Sequence, residues 1–254
     1  MYLSERLLLL FCKKNVLLRE VSYSDWTVDT ALNLLNRVYV DFKSTVFDKD
    51  VLDFGCGEGY QSIGMAMIGA KHVVGVEIND RFRDVMSRLI EKYSLHNKVS
   101  AEKYIDNSVP RKFDIIISQN SFEHFDKPRV VMDTFKKLIK SDGKILITFG
   151  PPWFAPYGSH MQYFTGVPWV NLFFSERTVM RVRSRYRSDG ANKYTEVESG
   201  LNKMTITKFK RIVQESGLKV QYLHLECSKG FNFMGKLPLL RELFVNRISC
   251  ILSN

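Results

Sequence analysis

Glycine occurs at every second position in a short segment that follows an apolar run. Residues 53–59 read Asp-Phe-Gly-Cys-Gly-Glu-Gly. Glycine lets a chain turn sharply after a strand and bring its backbone close to a ligand. The spacing differs from the G-x-G-x-x-G of dinucleotide sites, in which a third glycine helps a helix to seat a pyrophosphate. The candidate ligand-binding residues of this loop are Asp53, Gly55, Cys56, Gly57, Glu58 and Gly59.

Two carboxylates indicate what this loop could bind. Glu58 would repel a diphosphate but tolerate a cationic amino-acid group. Glu77 ends the apolar run 73–76 and stands 24 residues after Asp53 (77 minus 53). A carboxylate at this position of an α/β fold can accept hydrogen bonds from both hydroxyls of a ribose. We therefore predict that Glu77 binds a ribose, and we interpret Cys56 as a small loop residue and not as a nucleophile.

Short apolar runs alternate with helical patterns from Asp50 onward, and these elements must position the loop. The apolar runs are 51–54, 73–76, 115–117 and 145–149, and the helical patterns are 61–68, 81–93 and 128–139. This alternation predicts a parallel sheet wound with helices. Pro128 suits a first helical turn, and Asp142-Gly143 predicts a turn into the strand at 145–149.

The two ends of the chain extend this pattern. Apolar residues at helical spacing over 27–40 predict an amphipathic helix that caps the ligand pocket. Residues 205–217 predict a helix with a threonine start and a glycine stop, followed by strands at 219–227 and 245–252 that form an antiparallel pair. We predict one domain over 1–254, divided into a helical cap (1–47), a ligand-binding core (48–150), a substrate insertion (151–204) and a segment that completes the sheet (205–254).

Together these features resemble the class I S-adenosylmethionine-dependent methyltransferases, best over residues 50–150. Residues 53–59 match the first motif of that family, and Glu77 matches its ribose-binding acid. The resemblance implies an α/β fold with a Rossmann-like, doubly wound, seven-stranded sheet that has a final antiparallel strand, in three α/β/α layers. It also implies S-adenosylmethionine as the cofactor, with a contact from Ile78 beside Glu77 and adenine near residues 102–106.

A second segment resembles the part of these methyltransferases that passes the methionine end of the cofactor. Residues 118–125 read Ser-Gln-Asn-Ser-Phe-Glu-His-Phe. The resemblance makes Gln119 and Asn120 candidate cofactor contacts. Glu123 and His124 are candidate catalytic residues, and the alternative is that they only orient the loop.

Eight aromatic residues crowd positions 151–174, although aromatics make up 13% of the whole chain. Open α/β sheets bind ligands beyond the carboxyl ends of their strands, so Trp153 and Tyr157 are candidate substrate contacts. The alternative is that most of these rings form a hydrophobic subcore. His160 is a candidate general base that takes a proton from a hydroxyl acceptor, and the alternative is a structural histidine.

Arginine occupies every second position from 181 to 187. In an extended segment, four guanidinium groups would share one side and could bind phosphate or carboxylate. In a helix they would spread around the axis, and on a solvated face they would bind nothing together. We favour anion binding, with Arg183 and Arg185 as the candidate substrate-binding residues.

The charge of the chain favours an anionic partner. The formal net charge is +10, and by direct count residues 151–254 carry 15 Lys or Arg against 7 Asp or Glu, whereas residues 1–150 carry 22 against 20. A phosphorylated small molecule, a nucleic acid or a membrane surface would each suit this excess.

The four cysteines have no metal-ligand spacing, so we predict no metal site. The apolar run 7–11 is far shorter than the roughly 18 residues of a transmembrane helix, which favours a cytoplasmic protein.

The leading hypothesis is methyl transfer to an oxygen of a small, anionic acceptor. Residues 152–160 and 200–205 resemble segments of bacterial class I methyltransferases linked to sugars and cell-surface polysaccharide, which favours a sugar or related metabolite. One alternative is methylation of RNA or another nucleic acid, which salt-sensitive binding through the arginines at 181–187 would support. A second alternative is a non-catalytic protein that only binds S-adenosylmethionine. The sequence predicts no oligomeric state.

Overall fold

A central seven-stranded sheet organises the computed structural model, which describes residues 2–13, 26–105, 112–228, 233–238 and 240–254. Its strands are β1 (Asp50–Phe54), β2 (His72–Val76), β3 (Val99–Glu102), β4 (Phe113–Gln119), β5 (Ile139–Phe149), β6 (Lys219–Cys227) and β7 (Val245–Ser253). The α-helices in the described residues are α1 (Leu3–Leu10), α2 (Val28–Val38), α3 (Phe42–Val46), α4 (Tyr60–Met67), α5 (Asp80–Lys92), α6 (Pro128–Leu138), α7 (Val170–Phe173), α8 (Glu176–Arg183), α9 (Ile206–Ser216) and α10 (Arg241–Phe244).

The order of the strands is β3-β2-β1-β4-β5-β7-β6. Strands β1 to β5 are parallel, and β7 runs antiparallel to both β5 and β6. This confirms the predicted doubly wound sheet and its antiparallel final strand. The chain winds outward in opposite directions from β1 and β4, so a crevice opens at the carboxyl ends of these two strands.

Hydrophobic packing on both faces explains why the strands read as apolar runs. Leu52 belongs to a core shared with α6 and α9, which contribute Phe135 and Phe209. Val51, its neighbour in β1, points into the opposite core, which α4 joins through Ile63. A parallel sheet covered on both faces needs apolar residues at successive positions. The arrangement is the predicted three-layer α/β/α sandwich.

Helix α9 begins and ends where its sequence predicted. The Thr205 hydroxyl accepts a hydrogen bond from the backbone N–H of Lys208 at 3.0 Å, and Gly217 takes a left-handed conformation with φ +71°. Threonine satisfies a free N–H at the start of a helix, and glycine adopts the left-handed stop without strain. These two caps hold Lys208 in the first turn of α9.

The predicted turn at Asp142-Gly143 falls within the span of β5, in the part where the strand is irregular. The pairing of β4 with β5 shifts register between Phe113 and Ile115, so a bulge absorbs the extra residues. A Cβ at position 143 would stand 2.8 Å from the Ile139 side chain and 2.9 Å from the Asp114 carbonyl oxygen. The chain therefore bends between Ile139 and Lys144, around the predicted turn, and glycine allows the close packing at position 143.

Residues beyond β5 form a third hydrophobic cluster with the N-terminal helix. Leu8 of α1 packs with Phe164, Val179 and Tyr194, all of which are buried. Strand β3, which is short and mostly half-buried, was not among the apolar runs recognised in the sequence. No helix within the described parts of the chain is both long and apolar enough to span a membrane.

Candidate functional site

The glycine loop is fixed to the end of β2 by its own backbone. The N–H groups of Gly55 and Cys56 both donate to the Val76 carbonyl, at 2.8 and 3.1 Å. Gly55, Gly57 and Gly59 have φ angles of +78°, +54° and +82°. Such angles strain residues that carry a Cβ, so the three glycines let the chain double back between β1 and α4.

Glu77 holds the glycine loop from the other side. Its Oε2 accepts a hydrogen bond from the Gly57 N–H at 3.0 Å, and its Oε1 accepts one from the Asn79 N–H at 2.9 Å. Each carboxylate oxygen can accept a further hydrogen bond. Glu77 is therefore oriented by the backbone and keeps the capacity to bind a diol.

Asp53 lies beneath the loop and does not line the cavity above it. Its carboxylate accepts hydrogen bonds from Gln61 Nε2 at 2.6 Å and from Ser62 Oγ at 2.5 Å. Burial raises the pKa of Asp53 to about 7, against the effect of these two hydrogen bonds. The geometry makes Asp53 a residue that positions the start of α4, in contrast to the predicted ligand contact.

A cavity of about 1180 Å³ opens above the loop at the carboxyl ends of β1 and β4. Ala31 and Leu34 of α2 form part of its wall, so this helix does cap the pocket. The predicted cofactor residues that line the cavity are Gly55, Cys56, Gly57, Glu58, Gly59, Glu77, Ile78, Gln119 and Asn120. Lys103, Tyr104 and Ile105, from the predicted adenine segment, line it as well, while Asp106 lies outside the described residues.

The side-chain amide of Gln119 meets this cavity without a partner. Neither its Oε1 nor its Nε2 has a hydrogen bond within the described structure, although both atoms are buried. Unpaired buried polar atoms are costly, so such an amide favours a polar ligand beside it. The neighbouring Asn120 has φ +51°, which turns the chain at the end of β4 toward the same space.

His124 is the histidine that the structure brings to the cavity wall. Its Nδ1 lies 2.6 Å from the carbonyl oxygen of Gly200. A carbonyl can only accept, so Nδ1 carries the hydrogen and the lone pair of Nε2 is left to accept a proton. The loop after β4 and the turn at residues 200–202 thereby fix the tautomer of His124.

His160 lies behind His124 and does not line the cavity. The two rings pack edge to face with centroids 5.4 Å apart. Burial and the neighbouring His124 lower the pKa of His160 to about 4, although a hydrogen bond with the Pro151 carbonyl acts in the opposite direction. His160 is neutral near pH 7, and of the two histidines His124 is the one that lines the cavity.

Glu123 is also buried away from the cavity. Its Oε1 accepts a hydrogen bond from the Gly150 N–H at 3.2 Å, and burial raises the pKa of its carboxyl group. The Glu123 backbone carbonyl accepts a hydrogen bond from the Asn202 N–H at 2.9 Å. These contacts tie the loop after β4 to β5 and to the turn at 200–202, so Glu123 orients the loop that carries His124.

The two predicted aromatic substrate contacts lie outside the cavity wall. Trp153 packs edge to face against Tyr194 at 4.8 Å between centroids and belongs to the third hydrophobic cluster. Tyr157 is 37% exposed and lies at the surface. The subcore interpretation is therefore confirmed for Trp153, because its ring packs against other residues of the segment 151–204.

The arginine segment is not extended, so that part of its interpretation is wrong. Helix α8 runs through Arg183, whose side chain is buried and makes two hydrogen bonds to the Asp189 carboxylate, at 2.6 and 2.5 Å. Arg181 donates to Glu5 at 3.1 Å. Neither Arg183 nor Arg185 lines the cavity. Helical spacing points these arginines in different directions, and nearby acids engage two of them.

Residues 195, 197–202 and Lys208 line the cavity, although none of them was predicted as a site residue. The side-chain amide of Asn202 donates to the carbonyl oxygens of Phe122 and Phe125, at 2.9 and 2.8 Å. These contacts bring the turn at 200–202 against the loop that carries His124. The only sequence signal was the resemblance noted for residues 200–205, which did not indicate which loop they would meet.

We expect Gly57→Ala and Gly59→Ala to separate ligand binding from stability. Both positions have positive φ, so alanine should cost each about 1 kcal/mol of unfolding free energy. An alanine Cβ at position 59 would come within 2.4 Å of the Met86 side chain, which adds roughly 1–3 kcal/mol, whereas a Cβ at position 57 would meet nothing within 4 Å and would project beside the cavity. Urea unfolding should rank Gly59→Ala as the less stable variant. In calorimetric titration, Gly57→Ala should lower the affinity for S-adenosylhomocysteine by about tenfold or more. It should be the weaker binder of the two variants, although it is the more stable one.

The buried His160 should make the protein less stable in acid. Its folded pKa of about 4 lies below the ordinary value of 6.5, so its contribution to stability is complete above pH 6.5 and is lost as the pH falls toward 4. Linkage gives about 2 kcal/mol of lost unfolding free energy between pH 7 and pH 5. Urea unfolding at the two pH values should show this difference in the wild type and not in His160→Gln. The exposed His96→Gln should behave like the wild type, and an unchanged pH slope in His160→Gln would contradict the assignment.

The comparisons with known proteins agree with this geometry. A family model described as a methyltransferase domain matches residues 33–223, which is well over half of the chain. The chain belongs to the methyltransferase-domain family. Its domain is a class I S-adenosylmethionine-dependent methyltransferase domain, and S-adenosylmethionine is the cofactor of that class.

Curated relatives of this methyltransferase include ubiquinone biosynthesis O-methyltransferases. That of Actinobacillus pleuropneumoniae serotype 7 (strain AP76) is 32% identical over 124 residues, which cover 46% of this chain and 53% of the relative. That of Coxiella burnetii (strain Dugway 5J108-111) is 32% identical over 121 residues, which cover 46% and 51%. The chain thus spans about half the length of the curated relatives it matches.

Solved structures share the fold of this methyltransferase. An S-adenosylmethionine-dependent methyltransferase from Mesorhizobium loti superposes with a TM-score of 0.57 at 12% identity, over 89% of this chain and 100% of that chain. The magnesium protoporphyrin IX methyltransferase of Synechocystis PCC 6803, solved with bound S-adenosylmethionine, gives a TM-score of 0.52 at 11% identity, over 89% and 79%. At these identities the likeness establishes the fold alone.

The residues around the cavity suit the cofactor of this methyltransferase. Gly57 leaves open space where a Cβ would stand, so a ligand can approach the loop backbone. Glu77 offers two oriented carboxylate oxygens, and Gln119 offers an unpaired amide. No group of three or more metal-ligating side chains occurs in the part of the chain that the structure describes.

Proposed function

We propose that this methyltransferase transfers the methyl group of S-adenosylmethionine to an oxygen of a small, anionic acceptor, such as a sugar or related metabolite. The observation that carries the proposal is His124, which lines the same cavity as the glycine loop and has its Nδ1 hydrogen held by the Gly200 carbonyl at 2.6 Å. This geometry leaves Nε2 available to a hydroxyl group in the cavity. The names of the curated relatives, which are O-methyltransferases, support oxygen as the acceptor atom.

The cofactor would be held mainly by three parts of the cavity wall. Glu77 would accept hydrogen bonds from the ribose hydroxyls. The unpaired amide of Gln119 would form hydrogen bonds with the methionine end of the cofactor. Glu58, which lines the cavity beside the glycines, favours a positively charged group. When bound, S-adenosylmethionine supplies an electrophilic methyl group on a positively charged sulfur.

His124 would move the proton that the reaction releases. Bound S-adenosylmethionine would supply its methyl group to the acceptor oxygen, and S-adenosylhomocysteine would leave with the electrons of the former carbon–sulfur bond. The hydroxyl proton passes to Nε2 of His124, and the Gly200 carbonyl stabilises the resulting imidazolium through Nδ1. Positioning of the two reactants in one cavity supplies much of the remaining acceleration.

A small acceptor is preferred over a nucleic acid because the arginine segment offers little to a phosphate backbone. Arg181 and Arg183, two of its four guanidinium groups, are bound to Glu5 and Asp189. Nucleic-acid binding depends on cations that are free to neutralise phosphates. Lys208, in contrast, places positive charge on the cavity wall.

The experiment that tests the proposal is methyl transfer from S-adenosylmethionine with a labelled methyl group. The purified protein would be incubated with small-molecule extracts and, separately, with total RNA. We expect label in an alkali-stable small-molecule fraction, and much less of it with His124→Gln. Label in RNA alone would contradict the proposal, and cofactor binding without transfer to any fraction would favour a non-catalytic protein.

A further inference from the structure

A lysine lies at the end of the cavity that also holds His124. Lys208 stands in the first turn of α9, is half-buried and lines the cavity wall. A half-buried ammonium group is desolvated and usually has an anionic partner. The contacts of its Nζ therefore indicate what this part of the cavity accepts.

The Nζ of Lys208 has a carbonyl partner but no carboxylate partner. It donates to the Asn202 carbonyl at 2.8 Å, and no carboxylate of the described residues lies within 4 Å of it. Asp126 and Glu198 line the cavity too, but both are exposed and make no ion pair with Lys208. By contrast, Lys203 lies 2.9 Å from a Glu176 carboxylate oxygen. Burial and the neighbouring Arg211 lower the pKa of Lys208, so its protonated form is destabilised when no anion lies beside it.

One short turn positions both Lys208 and His124. The Gly200 carbonyl accepts a hydrogen bond from His124 Nδ1, and the Asn202 carbonyl accepts one from Lys208 Nζ. The turn itself is held by the Asn202 amide group, which donates to the Phe122 and Phe125 carbonyls. The imidazole and the ammonium group are therefore oriented by carbonyls two residues apart.

We infer that Lys208 binds an oxyanion of the acceptor, a carboxylate or a phosphoryl group, while His124 receives the proton of a hydroxyl in the same molecule. This inference rests on the proposed function and assigns its anion-binding residue. The acceptor class is then a hydroxyl compound that carries an acidic group on the side of the hydroxyl away from the cofactor. Lys208 then supplies the positive charge in place of Arg183 and Arg185, which do not line the cavity.

The test uses inorganic phosphate as the probe and a lysine resonance as the readout. The full chain, labelled with ¹³C at lysine Cε and saturated with S-adenosylhomocysteine, would be titrated with phosphate at constant ionic strength. We expect one resonance, absent in Lys208→Met, to shift saturably with a dissociation constant in the millimolar range. In Lys208→Arg, phosphate should still compete with the acceptor, because the positive charge is retained.

Lys210→Met is the matched control. Lys210 is two residues further along α9 and does not line the cavity. In this variant the saturable Lys208 resonance should be unchanged. Once an acceptor is identified, Lys208→Met should raise its KM about 10- to 100-fold and change the affinity for S-adenosylhomocysteine by less than threefold.

The outcomes separate this inference from the proposed function. A Lys208 resonance that shifts no more than those of surface lysines would overturn the anion site, provided that the same sample binds S-adenosylhomocysteine. A sample that is folded but does not bind S-adenosylhomocysteine would overturn the proposed function instead. An identified acceptor that is neutral, with a KM unaffected by Lys208→Met, would also overturn the anion site and leave methyl transfer intact.

Discussion

Replacement of Glu77 by glutamine is expected to weaken the binding of S-adenosylhomocysteine by about 100-fold. The carboxylate accepts hydrogen bonds from the Gly57 and Asn79 N–H groups, at 3.0 and 2.9 Å, and would accept two more from a ribose. Glutamine keeps the shape but presents one N–H₂ group where an acceptor is needed. The loss of two charge-assisted hydrogen bonds of roughly 1.5 kcal/mol each is about 3 kcal/mol, which corresponds to roughly 100-fold in affinity. Isothermal titration measures it directly.

The control for Glu77→Gln is Glu91→Gln on the exposed face of α5. This substitution removes the same charge from a residue that does not line the cavity and should leave the affinity unchanged. Thermal unfolding of both variants without ligand shows whether the loop itself has collapsed. An affinity within twofold of the wild type in a folded Glu77→Gln protein would exclude Glu77 as the ribose ligand.

The substitution His124→Gln is expected to lower the turnover number by about 100-fold or more and to leave cofactor affinity nearly unchanged. General bases contribute roughly 10²–10⁴-fold to catalysis. A glutamine amide can still donate to the Gly200 carbonyl, so the turn at 200–202 should stay in place. Initial rates at saturating acceptor and calorimetric titration of S-adenosylhomocysteine test both points.

Two histidine variants complete the test of His124. His96→Gln changes an exposed residue after α5 and should have the wild-type turnover number. His160→Gln should reduce turnover less than His124→Gln, because His160 reaches the cavity only through its contact with the His124 ring. Equal loss in His124→Gln and His160→Gln, with cofactor binding intact, would contradict the assignment of the base to His124. A wild-type rate in His124→Gln would contradict it as well.

These assignments also show how loops far apart in the chain share one site. Gly200 lies 76 residues from its partner His124, and the Asn202 amide reaches Phe122 over 80 residues. The turn at 200–202 therefore connects the first turn of α9 to the loop after β4 through hydrogen bonds. A single proline or bulky residue in this turn would disturb Lys208 and His124 together, whereas the glycine loop would be unaffected.

Local sequence was sufficient for the features that depend on near neighbours. Alternating apolar runs and helical patterns predicted the wound sheet, because a strand buried on both faces needs successive apolar residues. Thr205 and Gly217 predicted the ends of α9, because a cap is made by residues within one turn. The glycines at 55, 57 and 59 and the acid at 77 predicted the loop and its carboxylate, which the structure joins through the Gly57 N–H.

Only the tertiary structure decided which polar side chains meet the cavity. The sequence offered His124 and His160 as candidate catalytic residues and favoured arginines for anion binding, but it had no means to show that His160 is buried or that Arg183 is bound to Asp189. It also gave no role to Lys208. Periodicity reports which face of an element is apolar, whereas the partners of a polar group depend on which distant loops pack together. The sequence by itself thus determined the fold and the cofactor loop. The tertiary contacts of residues 200–202 determined which polar groups meet at the proposed acceptor end, because hydrogen bonds between loops have no local signature.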